Sequence, residues 1–316
     1  MRLECIASSG RATLGKMLFD GRTARAQLLR RLSFRHLAAV LIACIACAAR
    51  ASAQRPARIH FLLQTREAVE DRLKSFSTKN SERESLIRKW FAESGCKGAN
   101  LSEQALDGKL PPNVICVLPG ETRQVILVGA HTDKVDGVGD GVVDNWTGAV
   151  LLTALLDSLG GQLRHHTLIL VGFSGEEKGL IGSQYYVDHL TNAQRAHIEG
   201  MVNFDSLGLG PTEVWASHAD KALLDALAFV AVASKLPVTA MNVPEGATAD
   251  SESFVRYRIP RVTLHSVTEK SWPILHSQSD KLAAIKMNDY YDSYKLAAWY
   301  LAYLDDVLKA PVAPHQ

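Results

Sequence analysis

The fold of this chain is limited most by an alternation. Short apolar, β-rich runs at 113–118, 124–129, 167–173, 201–204 and 261–265 are interleaved with helical patterns at 147–159, 180–189, 221–234 and 288–308. Apolar runs of that length suit strands buried on both faces, and the intervening helices supply the crossovers that parallel neighbours require. The pattern predicts an α/β fold, a three-layer α/β/α sandwich around a mixed, largely parallel central β-sheet. Further upstream, Val69, Leu73, Phe76, Leu86, Ile87, Trp90 and Phe91 recur at helical spacing with a break near Ser77–Asn80, which predicts two helices between Thr65 and Glu93. No internal repeat, low-complexity tract or second-domain linker interrupts the chain.

Composition matters chiefly for what it excludes. With 47% hydrophobic and 22% charged residues in 316, the chain has ample material for one globular core, and a formal charge of +2 with scattered Lys and Arg leaves no footprint for nucleic acid. The first 53 residues differ from the rest. Arg22, Arg25, Arg30, Arg31 and Arg35 precede an apolar run from Leu37 to Ala49, which is shorter than the ~20 residues a spanning helix needs and is followed by Ala51-Ser52-Ala53. This pattern predicts a signal peptide over 1–53, cleavage after Ala53 and a single domain over 54–316, secreted or periplasmic, with no stable membrane span in the mature form. An uncleaved anchor, a lipid-anchored form at Cys44 and a start at Met17 are the other readings of this segment. Of five cysteines only Cys96 and Cys116 fall beyond it. They are either one disulfide, as an oxidising compartment favours, or two separate buried thiols.

Ionisable residues cluster where the runs end. Gly129-Ala130-His131-Thr132-Asp133 closes one strand, and a His two residues before an Asp suits a metal ligand whose second ring nitrogen is held by a carboxylate. Gly139-Asp140-Gly141-Val142-Val143-Asp144-Asn145 is a glycine-rich loop entering a helix; Asp144 could bind one ion or bridge two, or Asp144 or Asn145 could simply cap the helix. Ser174-Gly175-Glu176-Glu177 follows another strand, and two adjacent carboxylates point different ways, so one can ligate while the other acts as general base; an exposed acidic helix start is the plainer reading. Asp205 ends a third strand, and His276 and Asp280 lie in a polar loop before the final helix. Three strands therefore deliver polar residues to the carboxyl edge, where open α/β sheets bind ligands.

Taken in order, these motifs resemble those of the M28 family of zinc aminopeptidases, over nearly all of the expected mature chain. The resemblance implies the zinc-exopeptidase fold, two Zn²⁺ per chain and a peptide substrate with a free N-terminus. It makes Asp144 the bridging carboxylate, with a cis peptide bond to Asn145. His131 and Asp205 would complete one metal site, and Glu177 and His276 the other. Glu176 would be the general base, Asp133 the partner of His131, and Asp280 a supporting residue. Where many relatives have Asp-His before a Phe, this chain has Asp250-Ser251-Glu252-Ser253-Phe254, a departure close to the expected substrate site. Asp250, Phe254, Tyr257, Trp272 and Trp146 are candidates for its lining, with ordinary core or loop positions as the alternative for the aromatics.

Rival readings follow from the same residues. A glutaminyl cyclase resembles this fold but typically lacks one metal site, and a carboxypeptidase or dipeptidase would share the metal chemistry. An inactive, receptor-like binding module would need lost ligands. A monomer is expected.

Overall fold

The computed structural model of the chain describes residues 61–162, 164–243 and 246–308. The segment read as a signal peptide, with Cys44 and Gln54, lies outside the described residues. Helices α1 (Arg66–Lys74) and α2 (Asn80–Glu93) come first, separated where the helical spacing breaks. There follow β1 (Leu101–Gln104), β2 (Asn113–Leu118), β3 (Val125–His131), α3 (Thr147–Leu159), β4 (Thr167–Phe173), α4 (Ile181–Asp188), α5 (Asn192–Ala196) and β5 (Ile198–Phe204). The chain continues through β6 (Thr212–Val214), α6 (Lys221–Ser234), β7 (Val238–Ala240), β8 (Arg261–His265) and α7 (Met287–Val307).

The eight strands form one sheet in the order β1-β2-β4-β3-β5-β8-β6-β7. Its centre, β4-β3-β5-β8, is parallel, as is the β6–β7 pair; β1–β2, β2–β4 and β6–β8 are antiparallel. Alternating side chains of the central strands enter two different cores. Ile126, Val128 and Ala130 of β3 pack with Val202 and Phe204 of β5 against α1, α2, α3 and α7, whereas Val125 and Leu127 join Phe173, Met201, Tyr186 and Phe254 on the opposite face. That two-sided burial is why these strands read as continuous apolar runs and why the sandwich has three layers.

The expected fold class holds, and the differences sit at the edges. β1, β6 and β7 and the short α5 were not expected from the sequence. They are three to five residues long, and β1 and β7 are partly exposed, so neither length nor apolar periodicity marks them. Cys96, just after α2, is joined to Cys116 on β2 with Cα atoms 6.0 Å apart, which pins the helical N-terminal region to the sheet. No helix among the described residues is long and apolar enough to cross a membrane.

Candidate metal centre

Because β3, β4, β5 and β8 run parallel, the residues at their carboxyl ends meet at one edge of the sheet. The chain leaves β3 for β4 on one side and later reaches β5 on the other, so the crevice opens above β3. His131 is the last residue of β3, and Asp205 follows β5. Glu176 and Glu177 open a tight turn after β4, entered through Gly175 at φ +77°.

Asp144 lies at the hub. Its Oδ1 is 3.2 Å from His131 Nε2 and its Oδ2 is 3.1 Å from His276 Nε2. The same His131 nitrogen is 3.7 Å from Asp205 Oδ1, and the same His276 nitrogen is 2.9 Å from Glu177 Oε2. Two triads result, His131/Asp144/Asp205 and Asp144/Glu177/His276, in each of which the ligand atoms lie within 4.8 Å of one another. His131 Nδ1 faces the carbonyl oxygen of Asp133 at 3.1 Å. A carbonyl only accepts, so Nδ1 carries a proton, and Nε2 is the nitrogen turned towards two carboxylates. Carboxylates converging on that nitrogen call for positive charge there, on the ring or on a bound cation. Glu177 Oε1 adds a buried acceptor with no hydrogen-bond partner.

The electrostatics express the same demand. Burial opposes charge on His131, yet Glu176, Asp133, Asp144 and Asp205 together hold its pKa well above 6.5. Asp144 and Glu177 push His276 up to about 10. Burial, with the carboxylates of Asp250, Asp205 and Asp144, raises Glu176 to about 10 against the pull of His131. Asp250, fully buried with both oxygens unpaired, is pushed up to about 7 mainly by that burial.

The loops are held by side chains that the sequence did not single out, or did so only in part. Asp280 accepts from the backbone N–H of Val143 (2.6 Å) and Asp144 (3.2 Å), and so fixes the hub from beneath. Asn145, joined to Asp144 by a cis peptide bond, accepts from the N–H of Gly148 in the first turn of α3. It also donates to Phe204 O and accepts from Ser206 N–H, which ties the hub to the end of β5. A Cβ at Gly148 would fall 2.6 Å from Phe204 O, so only glycine lets α3 approach β5 this closely. Asp133 differs from its expected geometry. Its carboxylate stands 3.6 Å from His131 and instead receives the N–H groups of Glu176 (3.2 Å) and Glu177 (3.3 Å), while its backbone carbonyl makes the nearer contact with the imidazole.

A cavity of about 480 Å³ opens on this cluster. His131, Asp144, Glu176, Glu177, Asp205 and His276 line its polar side, and Trp215, Val243, Ala249, Val267, Trp272 and Leu275 much of the rest. Several aromatics expected here lie elsewhere. Phe254 is fully buried against Phe173 in the second core, Trp146 is fully buried and donates to Leu73 O, and Tyr257 is half-buried against the second core and donates to Asp188. Each belongs to an apolar run or helical turn whose spacing does not say which way it faces. Ser251 is buried against Thr263, their hydroxyls 2.8 Å apart.

A parallel-centred sheet thus carries, at its carboxyl edge, two imidazole–carboxylate triads that could hold metal ions. Residues 113–301 match Peptidase family M28, and the chain belongs to that family. It is 42% identical over 99 residues to leupeptin-inactivating enzyme 1 of Streptomyces exfoliatus, a match covering 30% of this chain and 22% of that protein. It is 32% identical over 89 residues to leucine aminopeptidase 2 of Trichophyton equinum, covering 28% and 18%. The matched stretches are thus about a fifth of those relatives' lengths. Among solved structures, glutaminyl cyclase from an Acidobacteriales bacterium superposes with a TM-score of 0.65 at 17% identity, over 80% of this chain and 99% of that one, a likeness of fold.

Proposed function

We propose that this chain is a zinc-dependent aminopeptidase that removes N-terminal residues from peptides, with two ions held at the edge of the sheet. The observation that carries the reading is Asp144, each of whose carboxylate oxygens faces a different imidazole nitrogen. His131, Asp144 and Asp205 would hold one ion, and Asp144, Glu177 and His276 the other. Nitrogen and oxygen donors without thiolate fit Zn²⁺ in an open catalytic site. When bound, the ions supply Lewis acidity towards the scissile carbonyl and towards water.

The protein's own groups do the rest. Burial and neighbouring carboxylates raise Glu176, and positive charge in the triads would offset them, so this residue can stay ionised as a proton acceptor. Glu176 takes a proton from the attacking water and returns it to the leaving amine. The surrounding carboxylates favour a cationic α-amino group, which selects a free N-terminus, while the wall of Trp215, Val243, Val267 and Leu275 offers an apolar side chain a place out of water. The Cys96–Cys116 disulfide supports folding in an oxidising compartment, and we propose that the domain is exported and acts as a monomer.

The test is turnover on a panel of aminoacyl chromogenic amides beside their N-acetylated counterparts, with and without chelator. Release from free but not blocked substrates, abolished by chelator and restored by zinc, is the expected result. Cleavage of blocked substrates would point to another peptidase type. Conversion of a Gln-initiated peptide to pyroglutamate without release of an amino acid would overturn the peptidase reading in favour of cyclisation.

A further inference from the structure

Arg83 lies on α2, outside the residues that match the family, and is fully buried. A buried guanidinium would ordinarily be paired with a carboxylate. Here every hydrogen bond goes to a backbone carbonyl. Its Nε donates to Thr132 O at 2.5 Å, its Nη2 to Gly141 O at 3.0 Å, and its Nη1 makes longer contacts of 3.4 Å to Asp140 O and Ser77 O. Thr132 stands between His131 and Asp133, while Asp140 and Gly141 lead into Asp144. One planar fork therefore joins the loop that carries one imidazole to the loop that carries the hub carboxylate. The guanidinium also lies 5.1 Å from the centre of the Trp146 ring, just beyond Asp144 and Asn145.

Asn80, one turn earlier on α2, holds the first of these two loops. Its side chain accepts from Lys134 N–H at 3.0 Å and donates to Lys134 O at 3.1 Å. A Cβ at Gly141 (φ +66°) would fall 2.5 Å from Lys134 Cβ and 3.2 Å from Arg83 Nη1, so the two loops and the helix meet without spare room. Burial lowers the Arg83 pKa only to about 10, because Asp133, Asp280, Asp144 and Glu177 lie near enough to support its charge. It remains a fixed cation beneath a cluster of carboxylates.

We propose that the first two turns of α2 are a positioning element for the metal centre, in which Arg83, assisted by Asn80, sets the distance between the His131 loop and the Asp144 loop and thereby the affinity for the ions. This rests on the reading of the triads as metal sites. Lysine could keep the charge but not the reach, since a single ammonium cannot satisfy carbonyls on separate segments as a fork does.

The experiment is a zinc titration of the metal-free protein in competition with a chromogenic chelator, for wild type, R83K and N80A. Near-ultraviolet circular dichroism and the thermal midpoint of each metal-free protein are recorded alongside. R83K should weaken at least one binding event by about 10- to 100-fold, as loss of a residue supporting metal ligands does, and N80A should weaken the same event by less. A purely structural role would lower the metal-free midpoint and leave zinc affinity where it was. Affinities in a folded R83K within about threefold of wild type would overturn the proposal, being well below the loss that supporting residues produce. Should R83K not fold, N80A decides, and wild-type affinity in N80A would count against the clamp. Failure of wild type to bind zinc would instead remove the metal-centre reading, and the two failures are told apart by that one curve.

Discussion

Glu176 and Glu177 are neighbours in sequence and separate in task. Glu177 reaches His276 at 2.9 Å and leaves its other oxygen unpaired, whereas Glu176 lines the cavity, its pKa raised by burial and by neighbouring carboxylates. The turn that parts them is pinned by Asp133, which accepts both of their N–H groups. In the proposed reaction Glu176 moves the proton and holds no ion. The E176Q variant should therefore bind zinc as wild type does and lose about 10²- to 10⁴-fold in kcat, the usual worth of a positioned acid–base group. Zinc content by mass spectrometry and steady-state kinetics on one chromogenic amide measure both. Unchanged turnover would remove Glu176 as the base.

At the scale of elements, the amino ends of the strands have their own polar lock, remote from the cavity. His166, just before β4, is fully buried, with Nε2 2.9 Å from Glu199 on β5 and Nδ1 3.1 Å from Asp305 on α7. Burial works against its charge, but the two carboxylates outweigh it and raise its pKa above 6.5. Asp305 is likewise opposed by burial, yet lowered below 3.8 by His166 and by the N–H groups of His165 and His166. The raised imidazole stabilises the fold below its unfolded pKa of 6.5 and ceases to do so as pH rises through its folded value. The lowered carboxylate stabilises above 3.8 and is lost as pH falls through its own folded value. The lock is thus complete between these limits. Urea unfolding of the metal-free protein should show stability declining on the alkaline side, and H166Q should flatten that decline. An equally steep decline in H166Q would assign it to other groups.

The whole molecule is built in two parts of unlike visibility. The central strands and long helices were legible in the sequence because a strand buried on both faces must be apolar throughout, and because 147–159 and 221–234 are Ala- and Leu-rich runs too long for such a strand. The disulfide joins the helical N-terminal region to this sheet across 20 residues. In the chain-entropy account, its loss from C96S/C116S should cost about 3 kcal/mol and lower the thermal midpoint by about 5–10 °C for a domain of this size. Calorimetry of the double variant tests this, and an unchanged midpoint would show that packing alone secures the N-terminal helices.

The sequence by itself determined the fold class and nominated His131, Asp144, Glu176 and Glu177, because strand ends, glycine loops and paired carboxylates are local patterns with local causes; Asp205 and His276 were nominated by the order of the motifs and their resemblance to the M28 family. It could not say which oxygen of Asp144 faces which imidazole. Nor could it show that the Asp133 carbonyl lies nearer His131 than its carboxylate, that Phe254 and Tyr257 turn away from the cavity, or that Arg83 lies beneath the centre. Those contacts join residues far apart in the chain, or depend on which way a side chain turns within a turn of backbone. Only the tertiary structure decides them, since it alone brings the segments together.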